Sequence, residues 1–360
     1  MSKECALKNI SLEPCDRWAH TEYSLHYHKD FLEQKAGVKQ EDVIDDDTPA
    51  GTKGPSEFAR RWKDALQIDF NFNNNDGLIN WQKAGRITDM GHASYAKDGS
   101  DERKTQVCPF ETLEEVWTFD AVEEYGLPDE NEQVDAYEKI IQHARQQEPN
   151  TLTPGGTYKT IVSGAIQTFG WDMLLMGASD PGKMEKVFDS FFRRSRFFYK
   201  CWAQTSAEAI LTHDDFVWSS GAFMNPDIYR KVLIPRYKEL WKIVHDAGKK
   251  VLFCADGNFM EFAGDIVEAG ADAIIFEPMN DFDFMVDNFG QDCCLVGSFV
   301  DCRDMTFDHW DKVKADIDRT FDRLQDCKGA IVAVGNHLPG NIPDKMLDSY
   351  FKELIPQLQK

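Results

Sequence analysis

The chain has no cysteine pair at Cys-x-x-Cys spacing, no Gly-x-Gly-x-x-Gly turn and no Gly-x-x-x-x-Gly-Lys-Ser/Thr loop. It also has no apolar run near the roughly 18 residues needed to span a bilayer. Each absence removes a class of protein. Without the glycine-rich turns, the usual phosphate cradles of dinucleotide- and nucleotide-binding sheets are missing. The nine cysteines are odd in number and scattered, which argues against a disulfide framework or a zinc knuckle and for reduced thiols. Positive charge is also scarce: 40 basic residues face 62 acidic ones, for a net charge of −22. This argues against a nucleic acid or an anionic membrane surface as the main partner. The N-terminal stretch MSKECALKNISLEP has no signal-peptide core, so the expected location is the cytoplasm.

What is present is a regular alternation in the second half of the chain. Short apolar runs at Ala207–Leu211, Lys250–Cys254, Ala271–Phe276, Cys293–Val296 and Ala330–Val334 read as strands. Between and after them fall helical stretches: one from Pro226, capped by Asn225 and ending at Ala247-Gly248, one over Phe259–Ala269, then Asp283–Phe289, about Asp308–Gln325, and a last one from Pro343. Continuous apolar strands joined by helical crossovers predict a parallel sheet buried on both faces. The sheet could be open and doubly wound or closed into a barrel. Polar residues gather at the C-terminal ends of nearly every strand, and in a barrel those ends converge on one mouth. A (β/α)8 TIM barrel with additional N-terminal helices is expected, as one domain over residues 1–360.

The first half is harder to parse. Residues 1–60 carry an aromatic and histidine cluster (Trp18, His20, Tyr23, His26, Tyr27, His28), expected as helices outside the barrel or as a lid over its mouth, then an acidic linker at Glu41–Gly54. Ala65–Phe72 reads as the first barrel strand, with Asp69 inside an apolar segment. Asp98–Lys104 reads as a solvated loop. Gln133–Gln147 and Pro181–Trp202 read as outer helices, the second with a Phe-rich inner face.

Chemistry is expected where strands end. The run Val251–Phe253 stops at Cys254-Ala255-Asp256-Gly257-Asn258, and the two-residue period of a strand puts Cys254 and Asp256 on one side, within reach of one ligand or metal. A thiol in a strand is also commonly a buried structural group, and an aspartate before glycine often serves its own turn. Glu277 follows an apolar run and should point to the mouth as a base or further ligand, or pair with a neighbouring cation. Of Asp214 and Asp215 only one can face the mouth. Asp69 belongs either to the pocket or to a structural network, because buried carboxylates need partners. Asp301 could bind substrate or cap its loop, and His337 could act as ligand or acid/base group or satisfy a loop carbonyl.

Asp16-Arg17, Gly155-Gly156 with Tyr158, Gly170-Trp171-Asp172, Asp214-Asp215, Asn225-Pro226 with Ile234-Pro235, Cys254 to Asn258, Gly297 to Asp301 (GSFVD) and Gly335 to Pro339 (GNHLP) occur in an order and spacing that resembles the uroporphyrinogen decarboxylase-like superfamily. That superfamily includes tetrapyrrole decarboxylases and cobalamin-linked methyltransferases. The decarboxylases carry two arginines on an early segment, where this chain offers Arg17 alone, so the resemblance points to the methyltransferase branch. The zinc methyltransferases of that branch use His-x-Cys after one strand and a cysteine after the last. Here Cys254, Asp256 and Asn336 stand at those positions, with His337 beside the last. The resemblance thus implies a corrinoid-dependent methyltransferase in which zinc is held by Cys254, Asp256 and His337 with a fourth position open, and in which a corrinoid protein docks at the mouth. Asp215, Glu277 and Asp69 are the expected catalytic carboxylates. Tyr158, Asp214, Asn336 and Asp301 are expected around a small methyl donor or acceptor. A homodimer stays open, as do two other readings: a lyase that decarboxylates a smaller acid, and a non-catalytic binding homologue.

Overall fold

The strand-and-helix alternation of the sequence is realised in the structure, a computed structural model that describes residues 2–42, 57–72, 81–88, 94–95, 101–102, 108–297, 300–335 and 338–360. The strands are β1 (Ala19–His20), β2 (Ser94–Tyr95), β3 (Asp101–Glu102), β4 (Gly155–Tyr158), β5 (Ala209–His213), β6 (Lys250–Cys254), β7 (Ala273–Ile275), β8 (Cys294–Val296) and β9 (Ala330–Val332). β2 and β3 form a separate antiparallel hairpin, and the other seven belong to one parallel sheet. The linker at Glu41–Gly54 lies almost wholly outside the described residues, as does most of Asp98–Lys104. No helix among the described residues is long and apolar enough to cross a membrane.

The chain forms two compact units. The first comprises Met1–Phe72, Lys139–Thr153 and Ala273–Lys360, and the second Asn73–Glu138 and Pro154–Asp272. In the first unit the strand order is β1-β9-β8-β7. Every residue of β7, β8 and β9 is buried, which is why these strands read as unbroken apolar runs. β1 is the correction to the N-terminal reading. Residues inside the expected helical or lid segment, Ala19 and His20, pair with Ile331 and Val332 of β9. Two residues are too few to show any strand period in the sequence.

Ala65–Phe72 is corrected too. Glu57–Ala65 is a helix, Gln67 takes a left-handed φ of 53°, and the extended part that follows makes one bridge, Phe70 to Leu152. It still occupies a strand's place. The Asp69 N–H donates to the His20 carbonyl and the Asn71 N–H to that of Leu152, while the Leu152 N–H donates to the Asp69 carbonyl. Counting this stretch gives the eight strands of a (β/α)8 barrel. Its aspartate is fully buried: Asp69 Oδ1 takes the Arg17 guanidinium and the Ser2 N–H, each at 2.5 Å, and Oδ2 takes the His20 N–H at 3.0 Å. Asp69 thus ties the N-terminal helix Lys3–Ile10 and β1 to the stretch that bears it.

In the second unit the order is β4-β5-β6. Helix Pro181–Ala203 packs on β4 and β5: Trp202 crowds Gly155, and Tyr199 hydrogen-bonds Thr212. The helix expected to run unbroken from Pro226 is in three pieces, Pro226–Ile228, a π-helical turn at Tyr229–Leu233, and Ile234–Asp246. Pro235 has no N–H to bond back into the preceding turn, and the widened turn absorbs that gap.

Breaking the buried pair between Arg17 and Asp69 should be expensive, because the partner left behind is a buried, uncompensated charge. Asp69→Ala is expected to lower unfolding free energy by about 3–5 kcal/mol in a denaturant titration; a loss below about 1 kcal/mol, the range of an exposed pair, would contradict this placement.

Candidate active site

The site is built on three strand ends of the second unit. In the parallel ladder Tyr158 stands opposite His213, and His213 opposite Cys254. Residues in register on parallel strands point to the same face. The alternate positions identify that face: Thr212 meets Tyr199, and Phe253 packs against Tyr237 and Trp241 at 5.7 and 5.5 Å between ring centroids. Those partners lie on the outer helices, so Tyr158, His213 and Cys254 face the other way, toward the interior of the barrel.

Two residues further along their chains, Asp215 and Asp256 extend the row. His213 Nε2 lies 2.8 Å from Asp215 Oδ1, and the Tyr158 hydroxyl donates to Asp215 Oδ2 at 2.9 Å. The Asp256 N–H donates to Asp215 Oδ1 at 3.0 Å. The Tyr158 and His213 rings stack at 4.1 Å. Asp256 is brought in by a tight loop. Gly257 has φ 96°, and a Cβ there would lie 2.8 Å from the Trp218 carbonyl oxygen, to which Asn258 N–H donates at 2.8 Å. Only glycine fits so close an approach with that backbone.

Asp214 and Asp215 have divided roles. Asp214 is fully buried and turned away from the row. Its Oδ1 accepts from the Ser163 N–H (2.6 Å) and hydroxyl (2.7 Å), and its Oδ2 from the N–H groups of Ile161 (3.2 Å) and Val162 (3.1 Å) and from the Tyr237 hydroxyl (2.6 Å). It caps the helix Val162–Gly177, satisfying donors that otherwise have no partner at a helix N-terminus. With five donors already placed, it has no capacity left for a substrate, which departs from the expected role. Ser163 Oγ also accepts the Asp215 N–H at 2.6 Å, so the cap holds the neighbouring site residue in place.

Burial by itself would lower the pKa of His213, but the charge and hydrogen bond of Asp215, with the charges of Asp256 and Asp214, outweigh it and raise it. Burial would raise that of Asp215, but His213, the Asp256 N–H and the Tyr158 hydroxyl hold it below the ordinary carboxylate value. The Tyr158 hydroxyl is pushed far up by burial and then by Asp215 and Asp256, so it remains a proton donor. Stability follows with opposite signs. The His213 contribution is complete below the ordinary histidine pKa and is lost as pH rises through its raised value. That of Asp215 is complete above the ordinary carboxylate pKa and is lost as pH falls through its lowered value.

Among the described residues, one group of side chains can hold a metal ion: His213, Asp215 and Asp256, whose ligand atoms all lie within 4.8 Å of one another. One imidazole and two carboxylates are accepted zinc ligands, and two ligands of one tetrahedral zinc stand about 3.3 Å apart. The donor types therefore suit zinc, and the Cys254 thiol lies in the same row. Of the expected trio, Asp256 belongs to this group, Cys254 adjoins it, and His337 lies outside the described residues, as does Asn336. The other expected residues are in the first unit. Asp69 is committed as described, Asp301 caps helix Cys302–Thr306 and pairs with Arg303, and half-buried Glu277 helps to raise the Cys302 thiol, after burial and Asp301. His213 carries no signal in the sequence, because the apolar run ends at Leu211 while the strand continues to His213. Extended by two residues, the strand ends in His-x-Asp, in register with Cys-x-Asp on its neighbour.

The imidazole proton of His213 should titrate above the ordinary histidine value in a histidine-selective NMR titration of metal-free protein. In Asp215→Asn, which removes the largest opposing charge, it should fall below that value. An unchanged His213 pKa in the variant would contradict the pairing.

The sequence pattern of the family described as Uroporphyrinogen decarboxylase (URO-D) matches residues 112–354, more than half of the chain. No protein of the curated set matches it in sequence. Among solved structures, the chain is similar to a methyltransferase from Methanosarcina mazei, with a TM-score of 0.64 at 15% identity over 99% of this chain and 97% of that one. A Xaa-Pro dipeptidase with methionine in its active site matches 63% of this chain and 59% of its own at 12% identity, with a TM-score of 0.31, too low to inform the fold. The chain belongs to the uroporphyrinogen decarboxylase family and has its α/β barrel fold.

Proposed function

We propose that the protein is a methyltransferase that moves a methyl group between a small molecule and a corrinoid carried by a separate protein, assisted by zinc. The observation that carries the reading is the convergence of His213, Asp215 and Asp256 at the ends of β5 and β6. The ligand set expected from sequence, Cys254, Asp256 and His337, is replaced in this proposal by one that keeps Asp256 and takes its nitrogen from His213. The structural likeness to a methyltransferase and the resemblance noted in the sequence support the reaction type. Bound at this set, zinc would supply Lewis acidity toward a substrate heteroatom at an open fourth position.

The chain's own residues prepare that position. Tyr158 keeps its proton and holds one oxygen of Asp215, while the Asp256 N–H holds the other, so the carboxylate cannot rotate away from His213. His213 must give up its proton to become a ligand, so metal uptake releases a proton and weakens as pH falls below the raised His213 pKa. Cys254, 6% exposed in the same row, adds a soft donor beside the set.

A second reading is favoured by one observation. Tyr158, Asp215 and His213 form a hydrogen-bonded chain of an acid, a carboxylate and a base, which could serve a decarboxylase without any metal.

The readings separate on chelation. Purified protein should hold about one zinc per chain and transfer methyl groups from candidate donors to cob(I)alamin, followed by its absorbance. His213→Ala and Asp256→Asn should lose the metal and lower transfer by more than the roughly 10–100-fold that losing an outer metal partner gives. Carbon dioxide release from a carboxylic acid that survives chelation would overturn the methyltransferase reading in favour of the lyase.

A further inference from the structure

Lys159 follows Tyr158 at the end of β4 and has a left-handed backbone, φ 64°. For a long side chain this conformation is uncommon and strained, and such strain concentrates at functional sites. The lysine is half-buried, with its ammonium 5.4 Å from the centroid of the Tyr158 ring. Burial lowers its pKa, and the charge of Asp215 opposes this. Other lysines withdrawn from solvent have fixed partners: buried Lys249 donates to the carbonyls of Thr205 and Ala207, and half-buried Lys250 pairs with Asp272. Among the described residues, Lys159 makes no ion pair. A half-buried ammonium that makes no ion pair among the described residues is a group prepared for a ligand that brings the counter-charge.

We propose that Lys159 binds the anionic end of the substrate, and that the substrate is a small molecule bearing a singly charged oxyanion of the carboxylate class. The charge balance sets the class. In the metal-loaded site the carboxylates of Asp215 and Asp256 offset a divalent ion, and Asp214 is occupied by its helix cap. Lys159, with its ammonium 5.4 Å from the Tyr158 ring, remains as one positive charge without an ion pair among the described residues, and a monoanion neutralises it. The inference rests on the metal-centre reading for the position of the reacting end, but the anion contact itself needs no metal.

Lys159→Gly is the informative variant, because glycine adopts φ 64° without strain while removing the amine. Cobalt(II)-loaded wild-type and Lys159→Gly proteins would be titrated with acetate and with neutral acetamide, reading the visible cobalt bands. Acetate affinity is expected to fall at least about tenfold in the variant, as for the loss of one charge-assisted hydrogen bond, with acetamide unaffected and the thermal midpoint unchanged or higher. Equal acetate affinity in the two proteins would overturn the proposal. If no cobalt bands form, the metal reading has failed, and a second measurement decides: reductive methylation of metal-free wild-type protein, mapped by peptide mass spectrometry. Acetate should protect Lys159 and acetamide should not; equal labelling in both overturns the inference.

Discussion

The carboxylate of Asp214 is the interaction on which the site depends. It gathers the first amides of helix Val162–Gly177, the hydroxyl of Ser163 and the hydroxyl of Tyr237 from helix Ile234–Asp246, all onto the residue just beyond β5. A buried charge must be met this completely or it destabilises the fold. Two outer helices are thereby locked to one strand end. Ser163 passes the constraint on, since the hydroxyl that donates to Asp214 accepts the N–H of Asp215. The position of Asp215, and through it of Tyr158 and His213, follows from the cap.

From that anchor the geometry of the row is a matter of period and register. Tyr158, His213 and Cys254 are in line across three parallel strands, and Asp215 and Asp256 repeat the facing two residues on. The two strand ends read His-Asp-Asp and Cys-Ala-Asp, so one pattern, a donor followed two residues later by aspartate, occurs twice in register. A repeated donor pattern on adjacent strands concentrates ligand atoms without any long-range loop.

Much of the barrel was legible because burial on both faces leaves an unambiguous mark. β6 was read to the residue, and β7, β8 and β9 to within a few residues at each end. Elements without such a mark were misplaced. β1 is two residues long, the Phe70 stretch makes a single bridge, and the π-helical turn before Pro235 has no periodic signature. In the site, Asp256 is legible from its place after a strand, whereas Tyr158 enters only through the family resemblance. His213 is not legible, because Thr212 and His213 are polar and the apolar run ends at Leu211. The division of work between Asp214 and Asp215 was foreseen as a division, but which residue faced inward depended on a helix cap contributed from fifty residues away in the chain. Lys159 gave no signal at all, since a left-handed lysine looks like any other in sequence.

The central claim, a metal centre on His213, Asp215 and Asp256, is tested most directly by diffraction at the zinc absorption edge from crystals of zinc-loaded protein. The account predicts one anomalous peak about 2.0–2.2 Å from a His213 nitrogen and from a carboxylate oxygen each of Asp215 and Asp256. A peak bound elsewhere, or none with the 2.8 Å contact of His213 and Asp215 intact, would contradict it.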